Sequence, residues 1–203
     1  MSRAFWLTLA MRVIAASALG VFVFRAYDRW ELTPTLTLAL LVIGESITLL
    51  IYITARITND VSFKPIALLS TLTATFFFLF VALGDGTKLA PLWVSATLQI
   101  AGICWQILAK ATLRRSFGLL PANRGIVSTG PYRLVRHPIY MGYLTSHIGF
   151  LLGNFTVYNL TLIAAVAFCQ IIRIREEESL LGKDAAYQAY TGRVRWRLIP
   201  GLW

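Results

Sequence analysis

Charge is scarce in this sequence, and negative charge scarcest of all. Only 14% of its 203 residues are charged, where a soluble domain carries about 25%. There are 9 Asp+Glu against 19 Lys+Arg, a formal net charge of +10. Cysteine is nearly absent. Cys104 and Cys169 both lie inside apolar runs and read as small core residues. With no CxxC pair and no Cys/His cluster, no metal site is expected. The chain has no internal repeat and no low-complexity segment. Leu19–Phe24 runs into Arg25 without a small-residue cleavage motif, so the first apolar run is expected to be a retained helix rather than a signal peptide.

Apolar residues are what the chain does have. They make up 57% of it, with a mean hydropathy of +0.67, and they fall in long runs. A bilayer core of about 30 Å needs roughly 20 helical residues. Four runs approach that length: Ala4–Phe24, Pro34–Ala55, Pro65–Leu83 and Pro91–Leu113. Two further runs, Ile139–Leu152 and Phe155–Ile174, flank the turn signal Gly153-Asn154 and read as a helical hairpin. The expectation is an all-α integral membrane protein of one structural domain. It has four transmembrane helices over residues 1–113, then a C-terminal region over 114–203 with a loop, a helical hairpin (five or six membrane helices in all) and a polar tail. The tail is expected to be partly helical from Arg175 to about Tyr190.

Basic residues gather at the ends of apolar runs and in segments 110–136 and 173–197. Without a soluble basic module, this distribution points to membrane topology and an anionic ligand rather than nucleic acid. It places the loop, the tail and both termini on the cytoplasmic side. The segment 25–31, with Arg25 and Arg29 offset by Asp28 and Glu31, would then face outward. Arg12 and Glu45 stand inside predicted spans, where a charge costs several kcal/mol and asks for a partner or a wet cavity. Each lies roughly 12 Å from the inner face by helical rise, so they are expected to pair, or one of them to line a substrate cavity.

The densest chemistry lies in Gly130-Pro131-Tyr132-Arg133-Leu134-Val135-Arg136-His137-Pro138-Ile139-Tyr140-Met141-Gly142-Tyr143. A basic loop ends there at a helix start. Pro138 suits the first helical turn, and the free N–H groups of that turn favour a carboxylate or phosphate beside Arg136 and His137. Tyr140 and Tyr143 share a helix face and could pack against a flat heterocycle. Gly142 permits close approach of a backbone or a ligand. Glu176, Glu177 and Glu178 follow the last apolar run, where adjacent carboxylates could accept from a ribose diol and offset a sulfonium. The tail adds Tyr187, Tyr190, Arg193, Arg195, Arg197 and Pro200.

RHPIYMG, EESLL and YQAYTGRVRWRLIP together resemble the isoprenylcysteine carboxyl methyltransferase family, which broadly includes phospholipid N-methyltransferases. The similar region is roughly Ser116–Pro200. The resemblance implies S-adenosylmethionine as methyl donor, with S-adenosylhomocysteine as product, bound at the cytoplasmic face without a Rossmann domain. The chain has no GxGxxG run. It implies a cofactor site of Arg136, His137, Pro138, Tyr140, Tyr143, Glu177 and Glu178. It also implies a substrate end served by Glu178 with Arg195 or Arg197, Arg193 being less favoured. The expected reaction is methyl transfer to a lipophilic or lipid-linked acceptor, a carboxylate first, in a bilayer such as a bacterial inner membrane. A lipid amine N-methyltransferase, an NADPH-dependent membrane sterol or enone reductase, and a non-enzymatic protein binding anionic lipid are the alternatives.

Overall fold

The computed structural model describes residues 3–32, 36–56, 58, 61–82, 86–118 and 120–203. Among these the secondary structure is helical, with two isolated backbone bridges and no strand. The helices are α1 (Arg3–Leu32), α2 (Leu36–Thr54), α3 (Pro65–Phe76), α4 (Leu92–Leu113), α5 (Pro138–Gly153), α6 (Val157–Leu181) and α7 (Ala185–Arg193). Proline opens α3 and α5, where its missing N–H costs nothing. Thr156 caps α6 by accepting from the Asn159 N–H at 2.9 Å, and Asp184 caps α7 by accepting from Ala186 N–H at 2.8 Å. Arg114 stops α4 with a left-handed φ of 49°.

Helices α4 and α6 are long and apolar enough to cross a membrane, and α2 and α3 include shorter apolar stretches. Trp93, Leu69, Val157 and Phe168 stand exposed on outer faces. Large apolar side chains exposed along helices of this length and hydropathy are at home in lipid. These features fit a membrane protein.

Small residues decide which helices pair. On α5, Gly142, Ser146, Gly149 and Gly153 recur at spacings of four, three and four, and that stripe lies on α4. A Cβ added at Gly142 would stand 2.8 Å from the Gly102 carbonyl oxygen, and one at Gly149 2.7 Å from the Gln99 nitrogen. The backbones therefore touch, as small-residue membrane contacts do. Ser95 Oγ donates to the Gly149 carbonyl at 2.9 Å and Gln106 Nε2 to Ser146 Oγ at 3.2 Å across the seam.

The expected hairpin is accordingly corrected. α5 lies along α4, α6 lies along α3, and α5 and α6 diverge from their shared turn with little packing between them. Asn154 and Asn159 close that turn, both donating to the Ala82 carbonyl at 2.8 and 3.0 Å. α1 packs on α2 and α2 on α4. The bundle thus consists of a row of four helices and a separate pair, joined at one end by the turn.

Other boundaries shift as well. The polar stretch after Phe24 does not end α1, which continues to Leu32. α3 tightens into a 3-10 turn at Phe77–Phe80 instead of continuing to Leu83, which lies outside the described residues, as does the Gly84-Asp85 part of the expected turn. Pro34, expected near the start of α2, also lies outside them. α6 runs through the acidic triplet to Leu181 and breaks at Gly182, so no single tail helix starts at Arg175.

Arg12 and Glu45 do not pair. The Arg12 guanidinium donates to the carbonyls of Ile53 and Ala55 at 3.2 and 2.9 Å. The first turns of α1 run past the end of α2 by about 13 Å, which puts Arg12 level with the α2 C-terminus rather than with Glu45. Glu45 instead faces Lys110 of α4 at 3.6 Å.

Candidate functional site

The segment before α5 is held by the chain's last residues. Arg136 N–H donates to the Trp196 carbonyl and His137 N–H to the Arg197 carbonyl, each at 2.9 Å. Tyr190 of α7 donates its hydroxyl to the Tyr132 carbonyl at 2.7 Å. The loop end, α7 and the tail are locked in one register by these bonds.

Charge then fills the junction. Glu178 Oε1 meets Arg136 at 3.2 Å and His137 Nε2 at 3.3 Å, and its Oε2 accepts from Arg197 Nε at 2.6 Å. Glu177 accepts from the Tyr140 hydroxyl at 2.8 Å and faces His137 Nδ1 at 3.5 Å. Both ring nitrogens of His137 therefore face carboxylates. Arg136 is held further by donating to the Val194 carbonyl at 2.8 Å. The guanidinium of Arg173 on α6 lies over the Tyr140 ring, 5.4 Å from its centroid.

Burial disfavours the charged form of His137, but hydrogen bonds to Glu177 and Glu178 outweigh it and raise its pKa above the ordinary 6.5. The sign for stability follows by linkage. A raised folded-state value contributes stability in full below 6.5, lost as pH rises through the folded value. Thermal unfolding in detergent should show wild type losing stability from mildly acidic to mildly alkaline pH. His137→Gln should flatten that slope, and an equal slope in both proteins would refute the assignment. Burial also keeps the Tyr187 and Tyr190 hydroxyls protonated, the latter pushed up to about 12.

A cavity of about 540 Å³ starts at this junction and runs between the two helix groups. Its size suits a small-molecule site. Arg136, His137, Tyr140, Glu177, Tyr187 and Tyr190 line one end. Glu45, Thr48, Lys110 and His147 also line the cavity. Lys110 is only 1% exposed and donates to Thr48 Oγ1 at 2.7 Å. Tyr143 lies beside two of these, with Lys110 5.2 Å from its ring centroid and His147 stacked on it at 6.1 Å. Four arginines, one lysine, two histidines and two glutamates line the whole.

Of the expected residues, Arg136, His137, Tyr140, Glu177 and Glu178 stand together, with Pro138 opening the helix beneath them and Tyr143 one turn deeper. Glu178 and Arg197 pair behind the cavity wall and are not among its lining residues. Arg195 is exposed, with its guanidinium 5.8 Å from the ring of its neighbour Trp196, and takes no part in the cluster. Arg193 is exposed too. Of Arg12 and Glu45, it is Glu45 that lines the cavity. Sequence reasoning misses Arg173 and Lys110 altogether. Their signal is a lone cation set against an apolar run at a helix end.

Helical bundle, charged junction and cavity together fit a membrane enzyme acting on a small molecule. The phospholipid methyltransferase family model matches residues 89–187, which span α4, the loop, α5, α6 and the start of α7. That region is similar to the family, and the match supports reading the chain as a membrane methyltransferase. No curated protein matches the sequence.

Proposed function

We propose that the protein transfers a methyl group from S-adenosylmethionine to a lipophilic acceptor. The observation that carries this reading is the cavity that joins the charged junction to the interior of an apolar bundle, with most of its lining residues in the segment matched by the family. The donor set fits the cofactor. Arg136, His137 and the N-terminus of α5 suit its carboxylate, Glu177 suits a cation or a ribose diol, and Tyr140 and Tyr143 suit the flat base. When bound, the cofactor supplies an electrophilic methyl on sulfur.

Methyl transfer of this kind is an in-line displacement, so catalysis rests on alignment and on keeping water out. Glu178 and Arg197 act here as positioning residues that hold His137 and Arg136 toward the cavity. The acceptor is a carboxylate on this reading: it is ionised at neutral pH, needs no base, and suits a wall with more basic than acidic side chains. A lipid amine is the second reading, favoured by the family's description; Glu177 would then stand nearest to take its proton. The reductase and the purely lipid-binding readings draw no support from the family match. The junction and both termini face the cytoplasm on this reading, following the positive charge of the loop and tail.

The test is a titration of detergent-solubilised wild type and His137→Ala with S-adenosylhomocysteine, S-adenosylmethionine and NADPH. Both adenosyl ligands should saturate. The substitution should weaken them about tenfold or more, the ratio that loss of one charge-assisted hydrogen bond gives. Saturation by NADPH in place of the adenosyl ligands would overturn the proposal.

A further inference from the structure

Outside the cavity, three arginines from three separate elements meet at the C-terminus of α2. Arg12 comes from α1, Arg56 follows α2, and Arg115 follows α4; together with residues 53–55 they line an open depression. Arg12 donates to the Ile53 and Ala55 carbonyls, and Arg115 Nε to the Thr54 carbonyl at 3.2 Å. Arg56 N–H donates to the Arg115 carbonyl at 2.8 Å, which ties the two loops together. The guanidinium of Arg12 is also fixed over the Tyr52 ring at 5.9 Å.

These bonds orient the guanidiniums without neutralising them. A helix C-terminus offers about half an elementary negative charge, against three full positive ones. Each guanidinium has five N–H donors. The bonds to the α2 carbonyls use two on Arg12 and one on Arg115. Among the described residues, none of the three lies within ion-pair distance of a carboxylate. If the cluster served only to cap α2, Arg12 and Arg115 would suffice; Arg56 adds charge to the depression without a carbonyl to cap.

We propose that this depression binds a phosphate group, and that its source is the headgroup of an anionic phospholipid at the membrane surface. The chemistry matches, because arginine forks suit phosphate oxygens. The place matches as well, since the depression lies at helix ends of a bundle with membrane-length apolar helices. The site is separate from the proposed methyl-transfer cavity, with which it shares no lining residue, and it does not depend on that reaction.

Purified protein in neutral detergent should be titrated with phosphatidylglycerol, phosphatidylcholine and inorganic phosphate, with thermal unfolding as the readout. Phosphatidylglycerol should raise the midpoint saturably and phosphatidylcholine should not. Arg56→Gln, which removes no α2 cap, should weaken the phosphatidylglycerol effect about fivefold, the ratio expected for one basic residue at an anionic surface. Arg12→Gln/Arg56→Gln should weaken it further. Stabilisation by inorganic phosphate with none from phosphatidylglycerol would overturn the lipid source. An equal response to both lipids, or a phosphatidylglycerol response unchanged in Arg56→Gln, would overturn the site.

Discussion

Glu178→Ala should be the most damaging single substitution at the junction. Its carboxylate meets Arg136, His137 and Arg197, and its removal leaves three cationic groups crowded in a largely buried space. Breaking a buried ion pair from one side costs about 3–5 kcal/mol, because the remaining charge loses its compensation. The loss should appear as a lower unfolding midpoint in detergent together with collapse of S-adenosylhomocysteine binding. Glu178→Gln keeps the shape and one acceptor oxygen, so it should fall between wild type and Glu178→Ala on both measurements. Arg197→Ala should follow Glu178→Gln in direction and exceed Arg195→Ala, since only Arg197 reaches the cluster. Wild-type stability and binding in Glu178→Ala would refute the reading of this carboxylate as the organiser of the site.

A second large effect is expected where α2 and α4 line the cavity. Lys110→Met should cost about 3–5 kcal/mol by stranding the Glu45 carboxylate among apolar helices. The pair is loose at 3.6 Å, and Lys110 also donates to Thr48. Removing both charges should therefore be far milder than removing one. Lys110→Met/Glu45→Gln should recover most of the folded yield and unfolding midpoint lost in Lys110→Met. Additive losses in the double variant would show that the two side chains do not form a coupled pair.

The contrast between these two sites explains what could be read from the sequence. Pro65 and Pro138 mark helix starts by local chemistry, and such marks survive into the fold, whereas the break at Gly182 falls inside the expected tail helix. The acidic triplet and the Arg136-His137 pair announce themselves by being polar beside apolar runs. Lys110 does not. It occupies the last turn of an apolar helix, where a lysine ordinarily reaches out to the interface. Only the placement of Glu45 and Thr48, on another helix, turns it inward. The expected Arg12–Glu45 pair fails for a related reason. Depth arguments assume that each helix begins at a common plane, and α1 starts well before the end of α2. The choice between Arg195 and Arg197 was not legible either. Residues two apart in an extended segment are chemically alike in sequence, and the choice falls to the residue whose backbone joins His137.

The pairing of α5 with α4 and of α6 with α3 has a mechanical meaning. α5 and α6 are tied at both ends, by the asparagine turn at one and by the salt links of Glu178 to Arg136 and His137 at the other. The wall between those two ties is therefore spanned like a beam held at both supports, and the cavity keeps its width without direct packing of α5 on α6.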